Sequence, residues 1–193
     1  MSVEILREYM DEGDRLRKEL RERLQKIVDI SGAIADAILH GGKVLICGNG
    51  GSAADSQHMA AEFIVRLSSA CKRRALPAIA LSTDTSVLTA AANDLGYESV
   101  FSRQVEGLGN KGDILIGIST SGKSPNVLRA LSVARRRGLT TIGFLGGTGG
   151  PAVRSCDMYY LVGSSDPCRV QEIHELIIHM VAALVEKSIV EEE

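Results

Sequence analysis

Five short apolar runs, separated by helical or mixed segments, constrain the fold of this 193-residue chain more than any other feature. The runs are KVLIC (43–47), AIALS (78–82), DILIGIS (113–119), TTIGFLG (140–146) and MYYLVG (158–163). Because they are apolar throughout rather than alternating, both faces of each strand must be covered. Strands of this kind that alternate with helices are typical of a parallel sheet between two helical layers. The sequence therefore predicts an α/β fold, a three-layer α/β/α sandwich with a central parallel sheet of about five strands.

Helical periodicity predicts the segments that cover this sheet. Leu16, Leu20, Leu24 and Ile27 recur at helical spacing in a charged background, which indicates an amphipathic N-terminal helix. Further helices are expected at about Ser31–His40, after the glycine turn at 48–52, and at Thr85–Asn93, Ser99–Leu108 and Pro125–Arg137. The last predicted helix, 168–190, is apolar on most faces beyond Leu176. Such a helix must be buried, either within the domain or between subunits.

Composition narrows the class of partner. A net charge of −2 and an aromatic content of 4% offer little to a nucleic acid, so none is expected as a partner. The first 20 residues are charged throughout and contain no apolar signal region. No apolar run approaches the roughly 20 residues of a membrane span, so no membrane partner is expected. The four cysteines have no C-x-x-C spacing, which indicates reduced thiols. We therefore predict a cytoplasmic location.

The segment GISTSGKS, 117–124, matches the phosphate-binding loop of nucleotide hydrolases, G-x-x-x-x-G-K-[ST]. Such enzymes also need a strand that ends in an acid for magnesium, and no apolar run here ends cleanly in Asp or Glu. The first glycine of the match, Gly117, falls inside a predicted strand. Four hydroxyls precede a predicted helix whose N-terminus favours a dianion: Ser119, Thr120, Ser121 and Ser124. These features favour a phosphate monoester over a nucleotide.

A second loop, GNGGSA at 48–53, follows the first apolar run and opens a helix. Gly50 and Gly51 permit close approach of the backbone, and Ser52 is a candidate helix cap. In an open parallel sheet ligands bind beyond the carboxyl ends of the strands, where both loops should lie. On residue type alone, an ordinary strand-to-helix turn explains this loop equally well.

Histidine spacing identifies candidate metal or catalytic residues without deciding between them. His58 and Glu62 are four residues apart and share a helix face. Gln171 and His179 are separated by about 80° around the last helix and about 12 Å along it, while His174 points about 60° the other way from Gln171. Exposed ion pairs and packed histidines explain these spacings as well as a metal site does.

Four stretches of the chain resemble, in order, the motifs of the sugar isomerase (SIS) domain family. They are CGNGGSAADSQHMAAE, AANDLGYESVFSRQVE, GISTSGKSPNV and RVQEIHELIIH. Within that family they are most similar to the phosphoheptose isomerases, over nearly the whole chain. The first and third motifs are shared with many sugar-phosphate-binding relatives, whereas the histidine-bearing ones are narrower.

The resemblance implies a set of site residues. The positions that bind zinc in those enzymes, one ion per subunit, correspond to His58, Glu62, Gln171 and His179, with Glu62 as base and His179 as acid. The positions that bind substrate correspond to Asn49, Gly50, Gly51, Ser52, Asn93, Asp94, Ser119, Thr120, Ser121, Ser124 and Gln171. The family often has Asp where this chain has Cys168, which affects one local substrate contact. The spacing of Gln171 and His179 leaves open whether one subunit or several supply the ligands.

The implied activity is conversion of sedoheptulose 7-phosphate to D-glycero-D-manno-heptose 7-phosphate through an enediol, which supplies heptose for lipopolysaccharide. The implied assembly is a homotetramer. In this interpretation residues 1–193 form a single SIS domain, and its helical extension, 1–40, contributes to oligomer contacts. Two alternatives stay open: a non-catalytic SIS-domain regulator that binds a sugar phosphate or a replication-initiation protein, and an isomerase or lyase of another phosphosugar. His179 favours the enzyme.

Overall fold

The computed structural model describes residues 2–192 as an alternation of helices and strands. The helices are α1 (Ser2–Arg21), α2 (Leu24–Leu39), α3 (Gly51–Ile64), α4 (Thr85–Leu95), α5 (Val100–Leu108), α6 (Pro125–Arg136) and α7 (Pro167–Glu192). The strands are β1 (Val44–Gly48), β2 (Ala78–Ala80), β3 (Ile114–Ser119), β4 (Thr140–Gly146) and β5 (Met158–Val162). Two short 3-10 turns cover Tyr97–Ser99 and Gly150–Arg154.

The five strands form one parallel sheet in the order β2-β1-β3-β4-β5. Alternate residues of β1, β3, β4 and β5 enter two separate cores, whereas Ile79 of the edge strand β2 is 37% exposed, so the expectation that both faces of every strand are covered fails there. Val44 and Ile46 of β1 pack with α1, α2, α3 and α7, whereas Leu45 and Cys47 pack with α4, α5 and α6. Both faces of the sheet are therefore covered, and the predicted three-layer α/β/α sandwich is confirmed.

The N-terminal helical region differs from its prediction in one boundary. The sequence predicted one amphipathic helix that includes Ile27. In the structure α1 ends at Arg21 and α2 begins at Leu24, so Ile27 belongs to the second helix. Leu16 and Leu20 on α1, and Ile27 and Ile30 on α2, are all buried in the same core. No glycine or proline marks the break at 22–23. Tertiary burial, rather than local propensity, therefore sets this boundary.

Helix α7 supplies much of the core beneath the sheet. It packs mainly against α2 and α3, and ten of its buried residues lie between Val170 and Ile189. The sequence predicted that the apolar surface of this helix is buried either within the domain or between subunits. Most of it is covered within the chain. No helix within residues 2–192 is long and apolar enough to cross a membrane.

A buried ion pair joins α7 to the end of α3. The Arg73 side chain is fully buried, and its Nε and Nη2 lie 3.0 and 2.8 Å from Glu186 Oε1. The same guanidinium donates to the backbone carbonyls of Glu62, at 2.7 Å, and Phe63, at 2.8 Å. The Leu67 amide donates to Glu186 Oε1 at 2.8 Å. Because removing one partner of such a pair leaves a buried charge uncompensated, the contact strongly favours a single arrangement of these helices.

His174 on α7 is fully buried against the sheet. Its ring centroid lies 6.1 Å from that of Phe144, and its Nε2 lies 3.3 Å from the Leu145 carbonyl oxygen. Its Nδ1 is buried without a hydrogen-bond partner among residues 2–192. Burial lowers the pKa of His174 to about 4 from 6.5, and the Leu145 contact opposes this only in part.

This burial predicts a loss of stability in mild acid. Between pH 6.5 and about 4 the unfolded chain protonates His174 and the folded chain does not, so falling pH favours unfolding. The free energy of unfolding should fall by about 3 kcal/mol in total, since each pKa unit corresponds to 1.36 kcal/mol. His174→Gln should remove this component. Urea unfolding of both proteins at a series of pH values measures it. A stability difference between them that stays constant from pH 7 to 4 would contradict the prediction.

Candidate active site

Two loops of the candidate site lie at the carboxyl edge of the sheet, where the strand order reverses between β1 and β3. Gly48 at the end of β1 pairs with Ile118 near the end of β3. The loops that leave these two strands, 48–51 and 119–124, therefore emerge side by side. This is the place where open parallel α/β sheets bind ligands.

The β1–α3 loop is shaped by close backbone packing. Gly50 has φ +57, and a Cβ on Gly51 would lie 2.4 Å from Gln171 Nε2. Ser52, which the sequence proposed as a helix cap, is buried in the first turn of α3 instead, and Gly50 is the N-cap residue. The reason is that α3 begins at Gly51, two residues before the start that a Ser52 cap would give. Glycine at 51 thus brings the α3 N-terminus against the Gln171 amide of α7.

The β3–α6 loop carries the four hydroxyls. Ser119 Oγ accepts from the Gly122 amide at 3.1 Å and lies 3.1 Å from Ser124 Oγ. Ser124 is the N-cap of α6, yet its side chain makes no capping bond. Gly122 has φ +63, and a Cβ there would lie 1.9 Å from the Gly149 carbonyl oxygen. The loop is therefore held closely against 147–150, with hydroxyls at the start of α6.

Gly117 lies inside β3, as the sequence argument against a nucleotide loop required. Gly117 is buried within the strand, so it takes no part in the turn that follows β3. A Cβ at this position would lie 2.9 Å from Val127 Cγ1, which accounts for the glycine by helix–strand packing. The match to the nucleotide-binding pattern therefore has a structural explanation that involves no nucleotide.

His58, Glu62 and His179 converge between α3 and α7. One ligand atom from each lies within 4.8 Å of the others. His58 Nε2 and His179 Nε2 are 2.8 Å apart, with the rings at 75°, and Glu62 Oε1 is 3.7 Å from His58 Nε2. All three residues are partly buried. The i,i+4 spacing on α3 and the α3–α7 packing together create this cluster.

The donor set of the cluster suits a metal ion. Imidazole nitrogens and a carboxylate oxygen are ligands that Zn²⁺ prefers. Glu62 Oε2 is buried without a hydrogen-bond partner among residues 2–192, which is costly unless another group satisfies it. Two imidazole nitrogens that face one another beside an unpaired carboxylate oxygen form a candidate metal centre.

Two further acids beside this cluster were missed by the sequence analysis. Glu175 Oε1 lies 3.1 Å from His58 Nε2 and 3.6 Å from His179 Nε2. Burial raises the pKa of Asp55 to about 6, Glu175 adds to this by repulsion, and His58 opposes it. Glu175 stands four residues before His179, the same one-turn spacing that singled out His58 and Glu62. That spacing was a usable signal.

The other predicted site residues named here lie on the β1–α3 loop, on α4 and in the first turn of α7. Asn49 hydrogen-bonds with Asn126 and Tyr97. Asn93 and Asp94 are exposed near the end of α4, where the Asn93 amide donates to Asp94 Oδ1 at 2.7 Å. Cys168 is exposed in the first turn of α7. The structure thus assembles His58, Glu62 and His179 directly and places Gln171 against the β1–α3 loop.

Comparison with known proteins matches this arrangement to one family. Residues 8–146 match the SIS domain family. The chain is 53% identical over 172 residues to a phosphoheptose isomerase of Burkholderia pseudomallei strain 1710b, which covers 89% of this chain and 85% of that protein. It is 53% identical over 188 residues to a phosphoheptose isomerase of Chlorobaculum tepidum, with 95% and 89% covered.

A solved structure shows the same fold at lower identity. The phosphoheptose isomerase of Neisseria gonorrhoeae superposes with a TM-score of 0.90 at 38% identity, covering 97% of this chain and 100% of that one. The match therefore includes the C-terminal helix α7, which lies beyond the residues that match the SIS domain. On these grounds the chain belongs to the SIS-domain family and, within it, to the phosphoheptose isomerases.

Proposed function

We propose that this isomerase converts sedoheptulose 7-phosphate to D-glycero-D-manno-heptose 7-phosphate. The observation that carries the proposal is the cluster of His58, Glu62 and His179, built between α3 and α7. Acid–base groups and phosphate-binding groups are what isomerisation of a sugar phosphate requires, and the second set is the hydroxyl loop at the start of α6. The names of the relatives support a phosphoheptose as substrate, and the resemblance of the sequence motifs implies the particular heptulose phosphate.

A zinc ion, one per subunit, fits the donor set of His58, Glu62 and His179, and the amide oxygen of Gln171 is the proposed fourth ligand. When bound, zinc would act as a Lewis acid toward the oxygens of the sugar. The support for this assignment is the buried, unpaired Glu62 Oε2 beside two facing imidazole nitrogens.

The protein's own groups account for the proton transfers. Glu62 removes a proton from C1 of the ketose, while His179 donates a proton to the oxygen on C2, which gives the enediol. Return of the proton from Glu62 to C2, with transfer of the proton on the C1 oxygen to His179, gives the aldose and restores both groups. Because Glu62 has two carboxylate oxygens, one is available to a metal and the other to the substrate.

The remaining predicted residues bind and orient the substrate. Ser119, Thr120, Ser121 and Ser124 hold the phosphate with the N-terminus of α6, which favours a dianion. The proposed contacts of the sugar chain are the polar or glycine positions implied by the resemblance: Asn49, Gly50, Gly51, Ser52, Asn93, Asp94 and Gln171. The adjacent loops at 48–51 and 119–124 support this placement.

We further propose that residues 1–193 act as one SIS domain and assemble as a cytoplasmic homotetramer that supplies heptose for lipopolysaccharide. Several large apolar side chains of α1 are exposed in the single chain: Val3, Ile5, Leu6, Tyr9 and Met10. Contiguous apolar surface of this kind is typical of a contact with another protein surface. This supports a role for the 1–40 extension in oligomer contacts.

Incubation of the zinc-supplemented protein with sedoheptulose 7-phosphate, followed by NMR identification of the product, tests the proposed function. We expect an aldoheptose 7-phosphate, and little of it after chelation. Conversion of a different ketose phosphate in its place would assign another substrate. Binding of the heptulose phosphate without conversion would favour a non-catalytic regulator.

Loss of the proposed base or acid should abolish most turnover. Glu62→Gln and His179→Gln keep side-chain size and remove the titrating group, so each should lower kcat by about 100-fold or more. The double variant should be little worse than the poorer single one, because both groups serve one proton-transfer sequence. Steady-state kinetics at saturating zinc measures this.

His40→Gln is the matched control, since His40 is an exposed histidine in a similar i,i+4 pair with Asp36 on α2. It should retain the activity of the parent protein. Near-normal turnover of Glu62→Gln or His179→Gln would show that the assignment of base and acid is wrong.

Substitutions in the hydroxyl loop should act on substrate binding. Ser119→Ala and Ser124→Ala each remove a hydrogen bond to a charged phosphate, worth roughly 1.5–3 kcal/mol, and should raise KM by about tenfold or more. Lys123, which is exposed, should matter much less when changed to Ala. Steady-state kinetics measures the changes in KM for the sugar phosphate. Calorimetric titration with magnesium–ATP tests whether a nucleotide binds. Tight ATP binding that depends on Lys123 would revive the nucleotide interpretation.

A further inference from the structure

A hydrogen-bonded amide pair joins the β1–α3 loop to the start of α6. Asn126, in the first turn of α6, is 2% exposed, and its side chain faces that of Asn49 in the β1–α3 loop. Asn49 Nδ2 donates to Asn126 Oδ1 and Asn126 Nδ2 donates to Asn49 Oδ1, each at 2.9 Å. Tyr97, beyond α4, donates its hydroxyl to Asn49 Oδ1 at 3.1 Å.

The backbone of α6 determines which way this pair is oriented. The Val127 amide donates to Asn126 Oδ1 at 2.9 Å. A flipped Asn126 would place its own N–H groups against that donor, so its oxygen must face Val127 and its Nδ2 must face Asn49. Asn49 can complement this arrangement in only one orientation. Its oxygen faces Asn126 Nδ2, and its nitrogen faces Asn126 Oδ1.

This orientation decides what Asn49 can offer a ligand. Both lone pairs of Asn49 Oδ1 are occupied, one by Asn126 and one by Tyr97. One hydrogen of Nδ2 is used by Asn126, and the other has no acceptor within residues 2–192. Asn49 is therefore left with a donor and no free acceptor, which suits an oxygen of a sugar or phosphate.

We propose that Asn126 is a positioning residue that fixes the amide orientation of Asn49, so that Asn49 presents an N–H donor to the sugar phosphate. It also ties the loop at 48–51 to the start of α6, where Ser124 lies two residues away. The proposal rests on the proposed function for the identity of the ligand. The orientation itself rests on the hydrogen bonds of Val127, Asn126, Asn49 and Tyr97.

Asn126→Asp tests the proposal because it keeps the shape and the acceptor for Val127 but replaces the donor toward Asn49. The second carboxylate oxygen then faces Asn49 Oδ1, so the pair loses one hydrogen bond, the two oxygens repel each other, and the Asn49 amide is no longer held in its native orientation. We expect KM for sedoheptulose 7-phosphate to rise about tenfold or more while kcat changes by less than about threefold. In ¹⁵N NMR spectra of the ligand-free protein, the Asn49 side-chain amide signals should shift.

A double-mutant cycle with Asn49→Ala separates positioning from general destabilisation. If Asn126 acts through Asn49, Asn126→Asp should add little to KM in the Asn49→Ala background. Gln104→Glu on α5 is the matched control, since its amide donates to the Leu81 and Val100 carbonyls. It should lower the free energy of unfolding without changing KM.

Additive effects of the two substitutions on KM, or an unchanged KM in Asn126→Asp, would overturn the proposal. If the wild type binds the heptulose phosphate without isomerising it, the proposed function fails. The same cycle, measured as calorimetric dissociation constants, then still decides the role of Asn126. Absence of any binding by the wild type would overturn both.

Discussion

The packing of α3 against α7 is the contact on which the rest of the site depends. Gly51 meets Gln171 at one end, and His58 meets His179 in the middle. Positions along both helices increase together, so the helices run in the same direction. At the far end the Arg73–Glu186 pair joins α7 to the last carbonyls of α3, including that of Glu62. The cluster of His58, Glu62 and His179 is therefore held from both sides.

The sheet supplies the second constraint by placing two loops at its switch point. Because β1 and β3 are neighbours, the glycine loop and the hydroxyl loop emerge together, and the Asn49–Asn126 amide pair joins them. The hydroxyl loop and the α3–α7 cluster have different chemistry. One offers donors for an anion, and the other offers imidazole and carboxylate groups. A sugar phosphate has both a charged end and a reactive carbonyl end, so it is suited to such a division.

The local sequence predicted those features that follow from continuous burial or from one-turn spacing. The apolar runs predicted the five strands, and the position of Gly117 within β3 was correct because the run DILIGIS is buried on both faces. The i,i+4 spacing of His58 and Glu62 identified two of the three residues of the cluster, and family resemblance supplied His179. The assignments of base, acid and substrate contacts remain predictions.

Features that depend on contacts between distant segments were not predictable in the same way. The break between α1 and α2 has no glycine or proline, and it exists because two rows of apolar residues reach one core. Arg73 and Glu186 are 113 residues apart, and Asn49 and Asn126 are 77 apart, so no local pattern connects them. The approach of Glu175 to His58 likewise required the α3–α7 packing.

The most direct test of this account is anomalous diffraction at the zinc edge from crystals of the zinc-supplemented protein. We expect one peak per chain between α3 and α7, about 2.0–2.2 Å from His58 Nε2, His179 Nε2 and an oxygen of Glu62. A zinc peak elsewhere on the chain, with these three side chains left uncoordinated, would contradict it.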